Sequence, residues 1–146
     1  MKLLLIFLLS LSLQAAGFWT LTGLQKANIY VLNDLSTIKP ETIVNIKEKM
    51  NAMLNANGIL TQQQDSPTLM IKLEEISNDG VYYVYVKLAL GEEVQTFRAN
   101  KSATFSLTYD SNDFIEVDAE ELDSEVLDSV DFLLSQFSEQ YEDDKE

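Results

Sequence analysis

The stretch Val81-Tyr82-Tyr83-Val84-Tyr85-Val86-Lys87-Leu88-Ala89-Leu90 decides the fold of this chain. Its β-branched and aromatic residues predict a strand. Because side chains alternate between the faces of a strand, one face is almost wholly apolar and consists of Tyr82, Val84, Val86, Leu88 and Leu90. The other face is mixed and consists of Val81, Tyr83, Tyr85, Lys87 and Ala89. The apolar face requires a covering layer, whereas the mixed face can be left to water or a partner.

A helix is predicted before this strand. Pro40 is typical of a helix start, and Asn57-Gly58 is the expected stop, with Gly58 in the left-handed conformation. Between them, apolar residues recur at three- and four-residue spacing and form one stripe, which consists of Ile43, Ile46, Met50, Met53 and Leu54. This helix therefore has one face to bury against a sheet.

Three further strands and a second helix complete the pattern. Residues 27–32 and 68–74 predict strands, and residues 104–109 predict another with Phe105, Leu107 and Tyr109 inward. Gly91 predicts a bulge or kink. The last helix carries a long apolar stripe, and Asp118 and Glu121 before it have capping-box spacing.

The element order is strand, helix, three strands, helix. We therefore expect an α+β fold, a two-layer sandwich in which two helices cover one face of an about four-stranded mixed sheet (β-α-β-β-β-α). A helical crossover makes the first two strands parallel, and short connections make the others antiparallel. This single domain is expected to span residues 18–141, with a disordered acidic tail at 142–146.

Residues 1–17 are predicted to be a signal peptide. Lys2 precedes an apolar run from position 3 to 13, and Ala15-Ala16-Gly17 supplies small residues for cleavage. The run is shorter than the roughly 20 residues of a spanning helix, so no transmembrane segment is expected in the mature form. With no cysteine in the chain, lipidation is excluded. We expect a soluble periplasmic protein.

Composition narrows the possible functions. The chain has no histidine and no cysteine, which removes the usual catalytic triads, thiol nucleophiles and zinc sites. No glycine-rich phosphate loop is present, and no cofactor is predicted. The formal net charge of -14 predicts that the protein as a whole repels nucleic acid and anionic membranes. A non-catalytic protein is expected, and a carboxylate-based hydrolase is the alternative.

The mixed face of the sheet is the candidate binding surface. Tyrosine offers rigid contact area with a hydroxyl group, and here tyrosines lie beside lysines in an acidic protein. The alternative is that tyrosine and threonine simply suit a wet sheet face. Addition of a partner strand to a sheet edge is a second possible binding mode. The candidate residues are Tyr30, Lys72, Tyr83, Tyr85 and Lys87.

A divalent cation is a second candidate ligand. Asp110, Asp113, Glu116 and Asp118 could gather oxygen ligands, although the spacing does not match a calcium-binding loop. The alternative is a flexible acidic connection into the last helix. An acidic cation-binding protein is therefore kept as a further hypothesis.

The sequence also resembles a family of small exported bacterial domains of unknown function. The resemblance rests on Ile29-Tyr30-Val31-Leu32-Asn33-Asp34-Leu35, Asn57-Gly58-Ile59, the strands at 67–73 and 82–88, and the helix at 130–137. The layout is similar to the lipopolysaccharide-assembly lipoprotein, without its lipidated cysteine. The resemblance implies a binding or accessory module of the bacterial cell envelope with a protein partner there, and it supplies no catalytic residues.

Overall fold

The computed structural model describes residues 19–78 and 81–145. The predicted signal peptide, residues 1–17, lies outside the described residues, as do Asp79, Gly80 and Glu146. The elements are β1 (Asn28–Asn33), α1 (Pro40–Ala56), β2 (Thr68–Asn78), β3 (Val81–Gln95), β4 (Ala103–Asp118) and α2 (Leu122–Asp143). This order confirms the predicted α+β fold. None of the described helices is long and apolar enough to cross a membrane.

The four strands form one mixed sheet in the order β1-β2-β3-β4. β1 pairs with β2 in parallel, whereas β3 is antiparallel to both β2 and β4. The crossover through α1 is the reason for the parallel pair, because a short turn cannot join parallel strands. β1 and β4 are therefore the two edges of the sheet.

The core lies between this sheet and the two helices. Inward side chains in the middle of β2 and β3 are fully buried: Leu69, Ile71, Leu73, Val84, Val86 and Leu88. Of the predicted apolar face of β3, Tyr82 is only partly buried. From α1, Ile46, Met50 and Leu54 meet them, and Gly58 ends that helix at a φ of 73°. The apolar core residues of the described chain all lie between Leu21 and Tyr141.

The two ends of the described chain are held together at one end of the sheet. The Leu21 N–H donates to Asp144 Oδ2 at 2.6 Å, and the Tyr141 hydroxyl donates to the Leu24 carbonyl at 3.0 Å. The Thr20 N–H donates to the Thr108 carbonyl at 2.9 Å. The predicted tail boundary is therefore wrong at its first residues, because α2 continues to Asp143 and Asp144 is bonded to the domain.

The bulge predicted at Gly91 is present and rearranges β4. The strand register shifts between Leu90 and Gly91, which leaves Thr108 as an extra residue in β4. Beyond the shift, Gly91 is level with Leu107 and Glu93 with Phe105. The prediction that Phe105 points inward is wrong, since the bulge moves it to the outer side of the sheet, where it is 69 % exposed.

β4 also extends further than predicted. It continues to Asp118, through residues expected to form a flexible acidic connection. Its polar inward residues are paired with α2: Ser111 donates to Gln136 at 2.8 Å, and Ser129 donates to Asp113 at 2.8 Å. The predicted capping box is absent, because α2 begins after Glu121 with no side-chain cap.

We expect Gly91→Ala to change the free energy of unfolding by less than about 1 kcal/mol. A Cβ at this position would lie 2.3 Å from the Phe105 ring tip, which must move. The ring is largely exposed, so it can rotate into solvent at little cost. Urea unfolding of the variant, with Gly91→Ala/Phe105→Ala as a control, measures this cost. A loss several times larger in the single variant alone would show that the ring is fixed.

Candidate binding surface on the outer sheet face

The side of the sheet opposite the helices is called the outer face here. Its side chains along β3 are partly exposed from Val81 to Lys87, and Ala89 is buried. The strands beneath them are hydrogen-bonded to one another. Five predicted site residues lie on it by strand alternation: Tyr30, Lys72, Tyr83, Tyr85 and Lys87. The surface is therefore a flat platform rather than a cleft.

An aromatic cluster occupies the end of the outer face farthest from the bulge. Tyr83 is level with Ile76 and Glu116, and Tyr85 is level with Glu74 and Phe114. The rings of Tyr83 and Phe114 stack with centroids 6.2 Å apart and planes inclined by 18°. Ile76 is 70 % exposed and Phe114 is 60 % exposed. These four side chains, Ile76, Tyr83, Tyr85 and Phe114, are called the outer-face cluster below.

The two lysines lie next to the cluster and are already paired within the chain. Lys72 Nζ is 2.6 Å from Glu74 Oε1, and this hydrogen-bonded carboxylate raises the pKa of the lysine. Lys87 Nζ is 2.6 Å from Asp110 Oδ2, across the β3–β4 pair. The positive charges are therefore locally neutralised, so the cluster is an aromatic surface with a polar border rather than a basic patch.

Tyr30 lies apart from the other predicted residues. It is on β1, level with Met70 of β2, and it is about half exposed. Met70 is in turn level with Ala89, six residues along β3 from Tyr83, or about 20 Å at strand spacing. The structure thus brings Tyr83 and Tyr85 together and places Tyr30 at the opposite corner of the outer face.

The four candidate cation ligands are not brought together. Asp110 and Glu116 are on the outer face but six residues apart along β4, which is about 20 Å. Asp113 points to the helix side, where it accepts the Ser129 hydroxyl, and Asp118 ends the strand. Among residues 19–78 and 81–145, no group of three or more acidic side chains has a geometry that could hold a metal ion.

Two members of the outer-face cluster were missed by the sequence analysis. Phe114 belongs to the part of β4 that the sequence analysis treated as a loop, and Ile76 follows the residues assigned to β2. Strand alternation continued through both segments would have placed Phe114 and Ile76 beside Tyr83. The signal was therefore present in the alternation, but the many acidic residues obscured it.

Comparison with known proteins gives little further information. No protein-family model matches the chain, and no curated protein matches it. Among solved structures, it is similar to a dodecamer of a PelC point variant from Paraburkholderia phytofirmans, with a TM-score of 0.48 and 18 % identity over 80 % of this chain and 88 % of that chain. A TM-score of this size carries no conclusion about this protein. The resemblance stated from the sequence remains a prediction.

Proposed function

We propose that this protein is an exported, non-catalytic binding or accessory protein of the bacterial cell envelope, located in the periplasm. The outer-face cluster is its contact surface for a protein partner. One observation carries the proposal: Ile76 and Phe114 are exposed beside the partly exposed Tyr83 and Tyr85, on the sheet face opposite the core, with the Tyr83 and Phe114 rings stacked.

Burial and pairing support this surface as a contact site. Exposed apolar residues occur singly on most proteins, but a contiguous group with stacked rings is typical of interaction surfaces. The four side chains lie on three hydrogen-bonded strands, so binding would order little backbone. The ion pairs of Lys72 and Lys87 border the cluster and resemble the polar rim of an interface.

The alternatives lack an equivalent observation. A hydrolase using carboxylates needs two acidic groups within a few ångströms of one substrate position. The four candidate carboxylates Asp110, Asp113, Glu116 and Asp118 are instead separated along β4, and no group of three or more acidic side chains in the described ranges could hold a metal ion. We therefore propose a binding role rather than a catalytic one.

We expect a photoreactive phenylalanine at position 85 to crosslink a specific envelope protein in the periplasm of the producing cell. The same group at Glu48, on the exposed side of α1, is the matched control and should give no such product. Adding Tyr83→Ala to the position-85 probe should reduce the crosslink about 30-fold, the effect of losing a central aromatic contact of about 2 kcal/mol.

Lys47→Ala, on the exposed surface of α1, should leave the crosslink unchanged. Equal crosslinking from positions 85 and 48, or an unchanged product after Tyr83→Ala in a folded protein, would refute the outer face as the contact surface. Mass spectrometry of the product identifies the partner.

A further inference from the structure

The β3–β4 hairpin projects from the sheet as an arm. β2 begins at Thr68, level with Gly91, so β3 and β4 pair only with each other beyond that level, up to Gln95 and Ala103. Residues 97–101 between them are all exposed. At strand spacing, the turn stands about 20 Å from the level of Gly91.

The turn has a composition unlike the rest of the chain. Phe97 is fully exposed, and Arg98 and Lys101 beside it form no ion pair within the described residues. From position 94 to 109 there is no acidic residue, although the whole chain contains 24. The tip, residues 96–102, is therefore an aromatic and cationic point on an acidic protein.

The tip is also well ordered by its own hydrogen bonds. The Thr96 N–H donates to the Ser102 carbonyl at 3.0 Å, and the Lys101 N–H donates to the Arg98 carbonyl at 2.8 Å. Gln95 Nε2 closes the turn on the Lys101 carbonyl at 3.2 Å. Phe97 is consequently presented by a formed turn.

The length of the arm determines how strongly the negative charge of the rest of the protein repels an anionic partner at the tip. Charges are screened over about 8 Å at physiological ionic strength, less than half the length of the arm. Of the carboxylates closest in sequence, Glu92 is at its base, where it accepts the Thr108 hydroxyl at 2.5 Å. Glu93 lies midway along the paired part of the arm, level with Phe105, and is four residues, or about 13 Å at strand spacing, from Phe97. The acidic end of α2 is also at the base, where Asp144 binds Leu21. An anionic surface at the tip therefore meets Arg98 and Lys101 first.

We propose that the tip docks on an anionic lipid surface. Phe97 enters the interface between headgroups and acyl chains, and Arg98 and Lys101 bind the headgroup phosphates. An exposed aromatic ring beside basic side chains is the combination that binds membrane interfaces. A projecting turn with one large aromatic ring needs no preformed pocket in a lipid bilayer, because the lipids can rearrange around the ring. This contact does not involve the outer-face cluster, so an experiment can refute one of the two binding proposals without refuting the other.

The test uses the chain from Phe18 to Glu146, the form expected after removal of the predicted signal peptide, which contains every core residue of the described part of the chain. It should sediment with vesicles of equimolar phosphatidylcholine and phosphatidylglycerol, but not with phosphatidylcholine alone. Arg98→Gln/Lys101→Gln should reduce the partition coefficient about 30-fold, since each basic residue near an anionic surface contributes about 1 kcal/mol. Phe97→Ser should reduce it about tenfold.

Two measurements separate docking at the tip from general adhesion. Phe97→Trp in a Trp19→Phe background should show a blue-shifted indole emission on anionic vesicles and quenching by brominated lipid. Phe132→Ser and Lys47→Gln, at exposed positions of α2 and α1, should bind as wild type. No vesicle binding by the folded wild type, equal binding by the tip variants, or an unshifted indole emission from the Phe97→Trp variant would overturn the proposal and favour a protein as the occupant of the tip.

Discussion

Replacing Phe137 with alanine is expected to lower the free energy of unfolding by about 3–5 kcal/mol. Phe137 is fully buried in the middle of α2. Its ring meets Tyr109 of β4 edge to face, with centroids 5.1 Å apart and planes inclined by 76°. Alanine removes both the buried area and the ring contact that joins α2 to the sheet. Urea unfolding followed by circular dichroism measures the loss.

Phe132→Ala is the matched control for this prediction. Phe132 is on the same helix but is 51 % exposed, so its removal should cost less than about 1 kcal/mol. Should Phe137→Ala fail to fold, Phe137→Leu, which keeps an apolar side chain in the site, should fold with a smaller loss of about 1–2 kcal/mol. Equal stability of the Phe137→Ala and Phe132→Ala variants would contradict the packing described here.

The second large effect is expected at Asp123, which joins the starts of the two helices. Lys39 precedes α1 and provides no side-chain cap of its own. Asp123 of α2 takes that place, because its Oδ1 accepts the Lys39 N–H at 3.0 Å and also the Thr42 hydroxyl. Its Oδ2 is 3.2 Å from Lys39 Nζ. The carboxylate thus brings negative charge to the N-terminus of α1, where the helix dipole favours it.

Asp123→Ala should reduce stability by about 2 kcal/mol at neutral pH. The variant loses a capping interaction and leaves the buried Thr42 hydroxyl without its acceptor. Asp131→Ala is the control, because Asp131 also pairs a lysine of α1, Lys49, but at a more exposed site. That surface pair should contribute less than about 1 kcal/mol. A cost for Asp131→Ala as large as for Asp123→Ala would refute the capping role.

The effect of Asp123 should depend on pH in a defined direction. Partial burial raises the pKa of Asp123, but hydrogen bonds from Thr42 and Lys39 and the charge of Lys39 outweigh it and lower the pKa below its ordinary value of 3.8. A lowered folded-state pKa contributes stability that is present above the ordinary value and is lost as the pH falls toward the lowered one. The difference between wild type and Asp123→Ala should therefore shrink below about pH 4.

The fold could be predicted where local signals agreed. Pro40 and Gly58 mark the ends of α1 within a residue or two, because proline has a fixed φ that suits the first helical turn and glycine tolerates the positive φ found after the last one. The alternation in β3 identified its buried face, since nearly every inward residue is apolar. Gly91 identified the bulge. In these places, backbone preference and apolar pattern give the same answer.

The predicted extent of β4 was wrong because polar side chains occupy two of its inward positions. Ser111 and Asp113 face α2 and are satisfied by Gln136 and Ser129, so the apolar alternation of β4 is interrupted at these two inward positions. The direction of Phe105 depends on the extra residue at Thr108, which belongs to a pairing that one strand alone cannot reveal. Hydrogen bonds between elements that are distant in sequence do not produce a hydrophobic periodicity from which they could be predicted.

The candidate surfaces were predictable only in part. Tyr83, Tyr85 and Lys87 follow from strand alternation, but the stacking of Tyr83 on Phe114 requires the register of β3 against β4. Phe97 lies in the turn of the arm, beyond the end of β3 at Gln95. Its exposure depends on the level at which β2 begins alongside β3. The sequence of β3 alone does not give that level.

The closure between the two chain ends has a consequence for the order in which the protein can mature. The hydrogen bond from Leu21 to Asp144 spans 123 positions of the sequence, and that from Tyr141 to Leu24 spans 117. A ribosome makes the partners of the N-terminal segment last, so that segment stays undocked until nearly the whole polypeptide has emerged. Contacts of such long range also slow folding. The contacts that close the domain can therefore form only once synthesis is nearly complete.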